Sequence, residues 1–200
     1  MLIIAAGLPA TGKTTVSRIL AHRLGAVHLR VDTIEQAMKR AGEHDAARGP
    51  AGYSVAYALA EDLLRQGFVV WAESVNPLAV TREAWRAVAD AVGSDRIEVE
   101  FACSDPVEHE HRAGSRVSDI AGLELPGWDE IQRREYEPWD GDHLVVDTAG
   151  RSPEESARML WTQLAPHFGA RGSSPGPLSG SRAVQQESTV HSEFPPGESG

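Results

Sequence analysis

The chain has 200 residues, a formal net charge of −10 and a single cysteine, Cys103. That length suits one domain with its own core, and the lone cysteine excludes a disulfide framework or a four-cysteine metal centre. The acidic balance, with Lys13 and Lys39 the only lysines, argues against nucleic acid, whose phosphates are bound by clustered Lys and Arg.

Leu2–Ala6 is a short apolar run of the kind that forms a buried parallel strand. It has no basic flank, so a signal peptide is not expected, and no run is long enough to cross a membrane; a cytoplasmic setting is expected. Gly7-Leu8-Pro9-Ala10-Thr11-Gly12-Lys13-Thr14 follows and fits G-x-x-x-x-G-K-[ST]. Next, Val16, Ile19, Leu20 and Leu24 form the apolar stripe of a helix that ends at Gly25. Strand, glycine loop and helix together make an anion site, because backbone N–H groups and the positive helix end face phosphate oxygens. Gly7 through Thr15 are therefore the expected nucleotide cradle, with Lys13 on the β- and γ-phosphates and Thr14 on Mg²⁺.

Strands and helices then alternate. Ala26–Asp32, Phe68–Ser74, Ile97–Ser104 and His143–Thr148 read as strands two to five. Helices are expected over Ile34–Arg40, around Val55, Leu59, Leu63 and Leu64 up to Gly67, and around Ala84, Trp85, Val88 and Val92 up to Gly93. Asp105-Pro106-Val107-Glu108 and Ser152-Pro153-Glu154-Glu155 each combine an N-cap, a proline at the first helical position and a Glu placed for a capping box. Such βα alternation implies a parallel sheet with helices on both faces and ligands at the carboxyl ends of the strands. After Phe168 the composition changes: residues 169–200 hold six Gly, four Pro and seven Ser, and are expected to be a disordered tail.

The carboxyl ends of the strands direct attention to particular residues. Asp32 stands after strand two as a candidate general base for a substrate hydroxyl, while Asp32 or Thr33 also suits the cap of the following helix. Glu73 ends strand three, where a carboxylate serves either Mg²⁺ or the substrate, and the Asn76 amide is a candidate to orient substrate. On the helix from Asp105, His109, Arg112 and Arg116 fall at i, i+3 and i+7, so the two arginines are candidates to close over the transferring phosphoryl group. His109-Glu110-His111 is not a metal pair, since i and i+2 diverge on a helix. Arg133 and Arg134 lie on the next helix, Arg134 being the preferred substrate contact, and Asp147–Arg151 is expected beside the base. Trp128, Tyr136 and Trp139 suit either a substrate cleft or core packing, and Arg82 and Arg86 are expected to stand away from the site.

The P-loop, Val31-Asp32-Thr33 and the arginines after strand four resemble a small bacterial P-loop kinase, an AAA-type ATP-binding protein of the chloramphenicol phosphotransferase and zeta toxin group. Ala72–Pro77 and Tyr136-Glu137-Pro138-Trp139 are similar to that group as well, while Glu73 replaces the Asp of many relatives. The resemblance, over about 1–165, implies an α/β three-layer P-loop NTPase fold: a five-stranded parallel sheet flanked by helices, with a helical lid at about 105–139 of a domain spanning 1–168. It also implies transfer of the γ-phosphate of ATP to a hydroxyl, with Lys13 and Thr14 on nucleotide and Mg²⁺, Asp32 as the base, and Arg112 and Arg116 in the lid. The expected partners are ATP and a small-molecule acceptor, an antibiotic or a sugar-like metabolite, handled by a monomer or homodimer. Alternatives are a nucleotide-sugar or polynucleotide kinase, the latter disfavoured by charge, and an ATP-hydrolysing switch acting on a protein.

Overall fold

The computed structural model describes residues 1–45 and 49–168; the expected tail at 169–200 lies outside them. The order is β1 (Leu2–Ala6), α1 (Lys13–Leu24), β2 (Val27–Arg30), α2 (Val31–Arg40), α3 (Ala51–Arg65), β3 (Val70–Glu73) and α4 (Ala79–Ala91). It continues with β4 (Arg96–Ala102), α5 (Pro106–Ser115), α6 (Trp128–Gln132), β5 (Leu144–Asp147) and α7 (Pro153–Leu164). The five strands form one parallel sheet in the order β2-β3-β1-β4-β5.

β1 lies in the middle and is buried along its whole length, which is why its five residues are all apolar. Its side chains alternate between two cores. Ile3 and Ala5 join Val16, Leu20, Phe101, Leu160 and Leu164 beneath α1 and α7. Leu2 and Ile4 join Ala56, Ala60, Trp85 and Val88 beneath α3 and α4. The fold is thus the expected three-layer α/β arrangement, and all five strands point their carboxyl ends at one edge.

Several boundaries differ from the sequence reading. Strand two stops at Arg30, because Val31 already begins α2. Neither Asp32 nor Thr33 is therefore a cap. Arg30 holds that position with no side-chain bond, and Asp32 sits in the first turn, where its charge complements the helix dipole. The two proline-headed helices diverge. In α7, Ser152 and Glu155 close the capping box. In α5, the Asp105 carboxylate caps Val107 and Glu108, but the Glu108 side chain leaves for the Gly150 amide (2.7 Å) and Arg112. α5 ends at Ser115, so Arg116 is in extended backbone rather than on the helix. The helix after it is five residues long and leaves Arg133 and Arg134 just beyond its end.

Candidate active site

Gly7 leaves β1 with φ near 143°, and a Cβ there would lie 2.3 Å from the Phe101 carbonyl oxygen. Only glycine lets the loop start this close to β4. Gly12 heads α1 in the left-handed region and offers no side-chain cap, so the helix N-terminus is left open to an anion. The loop is held from the far side of the sheet. His109 on α5 bonds the Pro9 carbonyl (2.8 Å) and packs edge-on against Trp128. Thr148, just after β5, donates to the Thr11 carbonyl (2.8 Å) and accepts from Arg112 (2.8 Å), which also donates to the Thr148 carbonyl.

At the base of the loop, Glu73 is 2% exposed and fully engaged. Thr14 donates to it at 2.5 Å, His28 Nε2 lies at 2.7 Å, Lys13 Nζ at 3.5 Å and Arg30 Nε at 3.8 Å. Burial alone would raise the carboxyl's pKa, but the Lys13 charge and the bonds from His28 and Thr14 more than reverse this and hold it well below the usual range. Lys13 itself is only 7% exposed.

Three cavities meet along this edge. The first, about 320 Å³, lies between the P-loop, α5 and α7 and is lined by Gly12, Thr15, Arg112, Arg116, Thr148 and Arg151 among others. The second, about 300 Å³, is the junction: Lys13, Thr14, Arg30, Asp32, Lys39, Arg116 and Arg134 contribute to its wall. The third, about 470 Å³, is a cleft between α2, α3 and the start of α4, walled by Val31, Tyr53, Tyr57, Leu78 and Val80 and carrying Asp32, Glu35 and Arg134. Arg116 is common to the first two cavities, and Asp32, Glu35 and Arg134 are common to the second and third.

Lys13, Thr14, Thr15, Asp32, Arg112, Arg116 and Arg134 thus line three neighbouring cavities that share wall residues. Glu73 touches Lys13 and Thr14 rather than the cleft. Asn76 is fully buried at φ near 52°; Val75 and Pro77 on either side of it line the cleft, while its own side chain does not. Tyr136 and Trp139 line none of the three cavities: Trp139 donates to the Tyr136 hydroxyl and stacks on His143 and under Arg82. Arg82 lines none of the three cavities either. It is fully buried and donates to the carbonyls of Asn76, Pro77, Glu137 and Pro138, so it carries the loop that ends at the cleft.

Sequence reasoning missed Glu35 and His28, and placed Thr148 only within the segment expected beside the base, without its bonds to the P-loop and Arg112. Glu35 repeats at i+3 from Asp32 and so shares its helix face, a signal that was present in the spacing. His28 and Thr148 act through partners 45 and 137 residues away, with no local pattern to mark them.

The residues fit a nucleotide with its metal. Among the described residues Arg116 Nε is buried without an acceptor, on the wall between the first two cavities, as suits a site that receives an anion. Thr14 and Glu73 supply hard oxygen donors in contact, while no group of three or more His, Cys, Asp or Glu that could hold a metal occurs among the described residues. Two protein oxygens beside a triphosphate are the usual provision for Mg²⁺, whose remaining ligands are phosphate and water.

The comparisons with known proteins agree on the fold. A gluconokinase from Sinorhizobium meliloti 1021 superposes with a TM-score of 0.59 at 18% identity, over 82% of this chain and 91% of that one. An APS kinase from Mycobacterium tuberculosis, solved with AMPPNP and APS, gives 0.56 at 20% identity, over 82% and 96%. A sugar kinase from Janibacter sp. HTCC2649 gives 0.58 at 16% identity, over 82% and 94%. No curated protein matches the sequence. No helix among the described residues is long and apolar enough to cross a membrane. The family described as AAA domain matches residues 2–122, more than half of the sequence, and the chain belongs to it.

Proposed function

We propose that this protein transfers the γ-phosphoryl group of ATP to a hydroxyl of a small molecule, in the manner of the chloramphenicol phosphotransferase and zeta toxin group. One observation carries the reading: Asp32 stands in the wall of both the junction that holds Lys13 and Thr14 and the cleft on the other side. A base needs that position, since it must reach the hydroxyl and the phosphate must lie beyond it. The base and ribose then fit the cavity between the P-loop and α7, the triphosphate follows the loop into the junction, and the acceptor fills the α2–α3 cleft.

In the transfer, the acceptor oxygen forms a bond to the γ-phosphorus and the bond from that phosphorus to the β–γ bridging oxygen breaks, releasing ADP. Asp32 takes the hydroxyl proton. Lys13, turned from Glu73, and Arg116 offset charge on the equatorial and leaving oxygens. Arg112, tied to Thr148 and Glu108, braces the wall of the nucleotide cavity. Thr14 and Glu73 would hold Mg²⁺, which would supply positive charge to offset that of the phosphates.

The test is incubation with ATP, Mg²⁺ and a panel of hydroxylated compounds, read by mass for the gain of one phosphoryl group. With an acceptor in hand, Asp32→Asn should slow transfer roughly 10²-fold while leaving ATP affinity nearly unchanged, because the amide keeps the shape but takes no proton. Transfer at the normal rate by that variant would remove Asp32 from the reaction.

A further inference from the structure

The α2–α3 cleft differs in chemistry from the junction beside it. Lys13, Arg30, Lys39, Arg116 and Arg134 border the junction, where phosphates belong, and there they offset the carboxylates of Asp32, Glu35, Asp119 and Glu124. The cleft has largely apolar walls and shares Asp32, Glu35 and Arg134 with the junction, Arg134 being its one cation among the described residues. Neither carboxylate accepts a hydrogen bond from any described residue. Tyr53 and Tyr57 line the cleft, but their hydroxyls are used elsewhere: Tyr53 accepts from the Asn76 amide (3.1 Å) and Tyr57 donates to the Thr81 carbonyl (3.2 Å). What they leave for a ligand is ring surface.

Glu35 is seated with unusual care. Gly52 is in the first turn of α3, and a Cβ there would stand 2.5 Å from Glu35 Cγ. The missing side chain makes room for the carboxylate at the cleft wall. Burial first, then the neighbouring Asp32 charge, pushes the Glu35 pKa up to about 7 against the opposing pull of Lys39 and Arg134. Above about pH 7, where Glu35 is ionised, a negative ligand group would meet two carboxylates in a half-buried cleft. The opposing Arg134 is exposed and so screened by water and salt.

We propose that this cleft selects acceptor alcohols with an apolar, ring-sized body and no negative charge, with Glu35 as the residue that enforces the exclusion. The proposal rests on the kinase reading for the word acceptor, but the charge selection is a binding property and can be measured by itself. A volume of about 470 Å³ suits a ligand of one or two rings. A protonated amine or a second hydroxyl would give Glu35 the hydrogen-bond partner that the chain does not provide.

Three probes with one body isolate charge: 1,4-benzenedimethanol, 4-(hydroxymethyl)benzylamine and 4-(hydroxymethyl)benzoate. Their dissociation constants are measured by NMR titration of the full chain saturated with AMPPNP and Mg²⁺ near pH 7.5. The neutral and cationic probes should bind, and the benzoate should bind at least about tenfold more weakly. In Glu35→Gln the gap should narrow to within about threefold, with an unchanged circular dichroism spectrum as the check on folding. Benzoate binding as tightly as the diol would overturn the proposal. So would failure of both diol and amine to bind, or a gap that survives Glu35→Gln. Replacing AMPPNP by ATP separates the two readings. Binding in the expected order with no phosphate transferred to any alcohol sinks the kinase reading alone, whereas transfer favouring the benzoate sinks the charge selection alone.

Discussion

The P-loop side of the site and the α2–α3 cleft use the same kinds of residue in opposite ways. On the P-loop side the carboxylate beneath the loop and the arginine beside it have fixed partners. Glu73 is held by Thr14, His28 and Lys13, and Arg112 by Thr148 and Glu108. The cleft's carboxylates, Asp32 and Glu35, have no hydrogen-bond partner among the described residues. A triphosphate is the same in every turnover, so its site gains from being organised in advance. Acceptor groups left unpaired in the cleft are instead completed by the ligand, and that is where discrimination originates, because a wrong ligand leaves a buried polar group unsatisfied.

The sharpest way to break this contrast is Lys13→Ala. Transfer should fall by roughly 10³-fold or more, about 4 kcal/mol of barrier, since no other cation reaches the same phosphates from the loop. The structure adds a stability cost that a free loop lysine would not carry. Glu73 loses its strongest opposing charge while remaining buried, so the melting temperature should drop by several degrees. Calorimetry on the nucleotide-free variant checks this, and an unchanged melting temperature would show that His28 and Thr14 suffice.

Arg82→Ala should come next, at about 3 kcal/mol of stability, because it strands four carbonyls that one buried guanidinium now serves. Chemical denaturation measures it. Arg86→Ala on the same helix removes a more exposed pairing with Glu98 and Asp140 and should cost much less. Equal losses would mean that the loop at Asn76–Pro77 holds itself.

The contrast also explains what was legible in the sequence. Gly7 and Lys13-Thr14 are readable because the loop chemistry is local: a turn, a helix start and a phosphate within eight residues. The α7 cap is readable for the same reason. The α4 N-terminus is not, since its first amide, that of Ala79, is met by the carboxylate of Glu137, 58 residues on. The role of Arg82 was not legible, because two of the four carbonyls it serves, those of Glu137 and Pro138, lie more than 50 residues on. Glu35 was half visible, sharing a face with Asp32, but the space for it is supplied by Gly52 on another helix. Element type follows from periodicity; strand ends and the acceptor side follow from contacts that no short window contains.

Arg116→Ala should reduce the rate at saturation about 10²-fold with a smaller effect on ATP affinity, as for a group that meets the phosphates mainly in the transition state. Arg116→Lys should recover only part of this, because an ammonium lacks the guanidinium fork. Single-turnover rates decide it. Loss of ATP affinity in place of rate would make Arg116 a ground-state contact.

The smallest effect tests the contrast most directly, through the opposite pH linkage of its two carboxylates. Glu73 has a lowered pKa, so its contribution to stability is present above the ordinary Glu value of about 4.5 and is lost only as the pH falls below it. Glu35 is raised to about 7, so folding takes up a proton between about pH 4.5 and 7. Its favourable contribution is complete below 4.5 and gone once the pH has risen past 7. Relative to Glu35→Gln, the wild-type melting temperature should therefore slide downward from pH 4.5 to 7 and run parallel above 7. Because Asp32 supplies part of the upward shift, the slide should shrink in an Asp32→Asn background, where burial alone remains to raise Glu35. Curves parallel across the whole range would mean that Glu35 titrates as a solvated side chain, and the cleft would then have no unpaired carboxylate to offer a ligand.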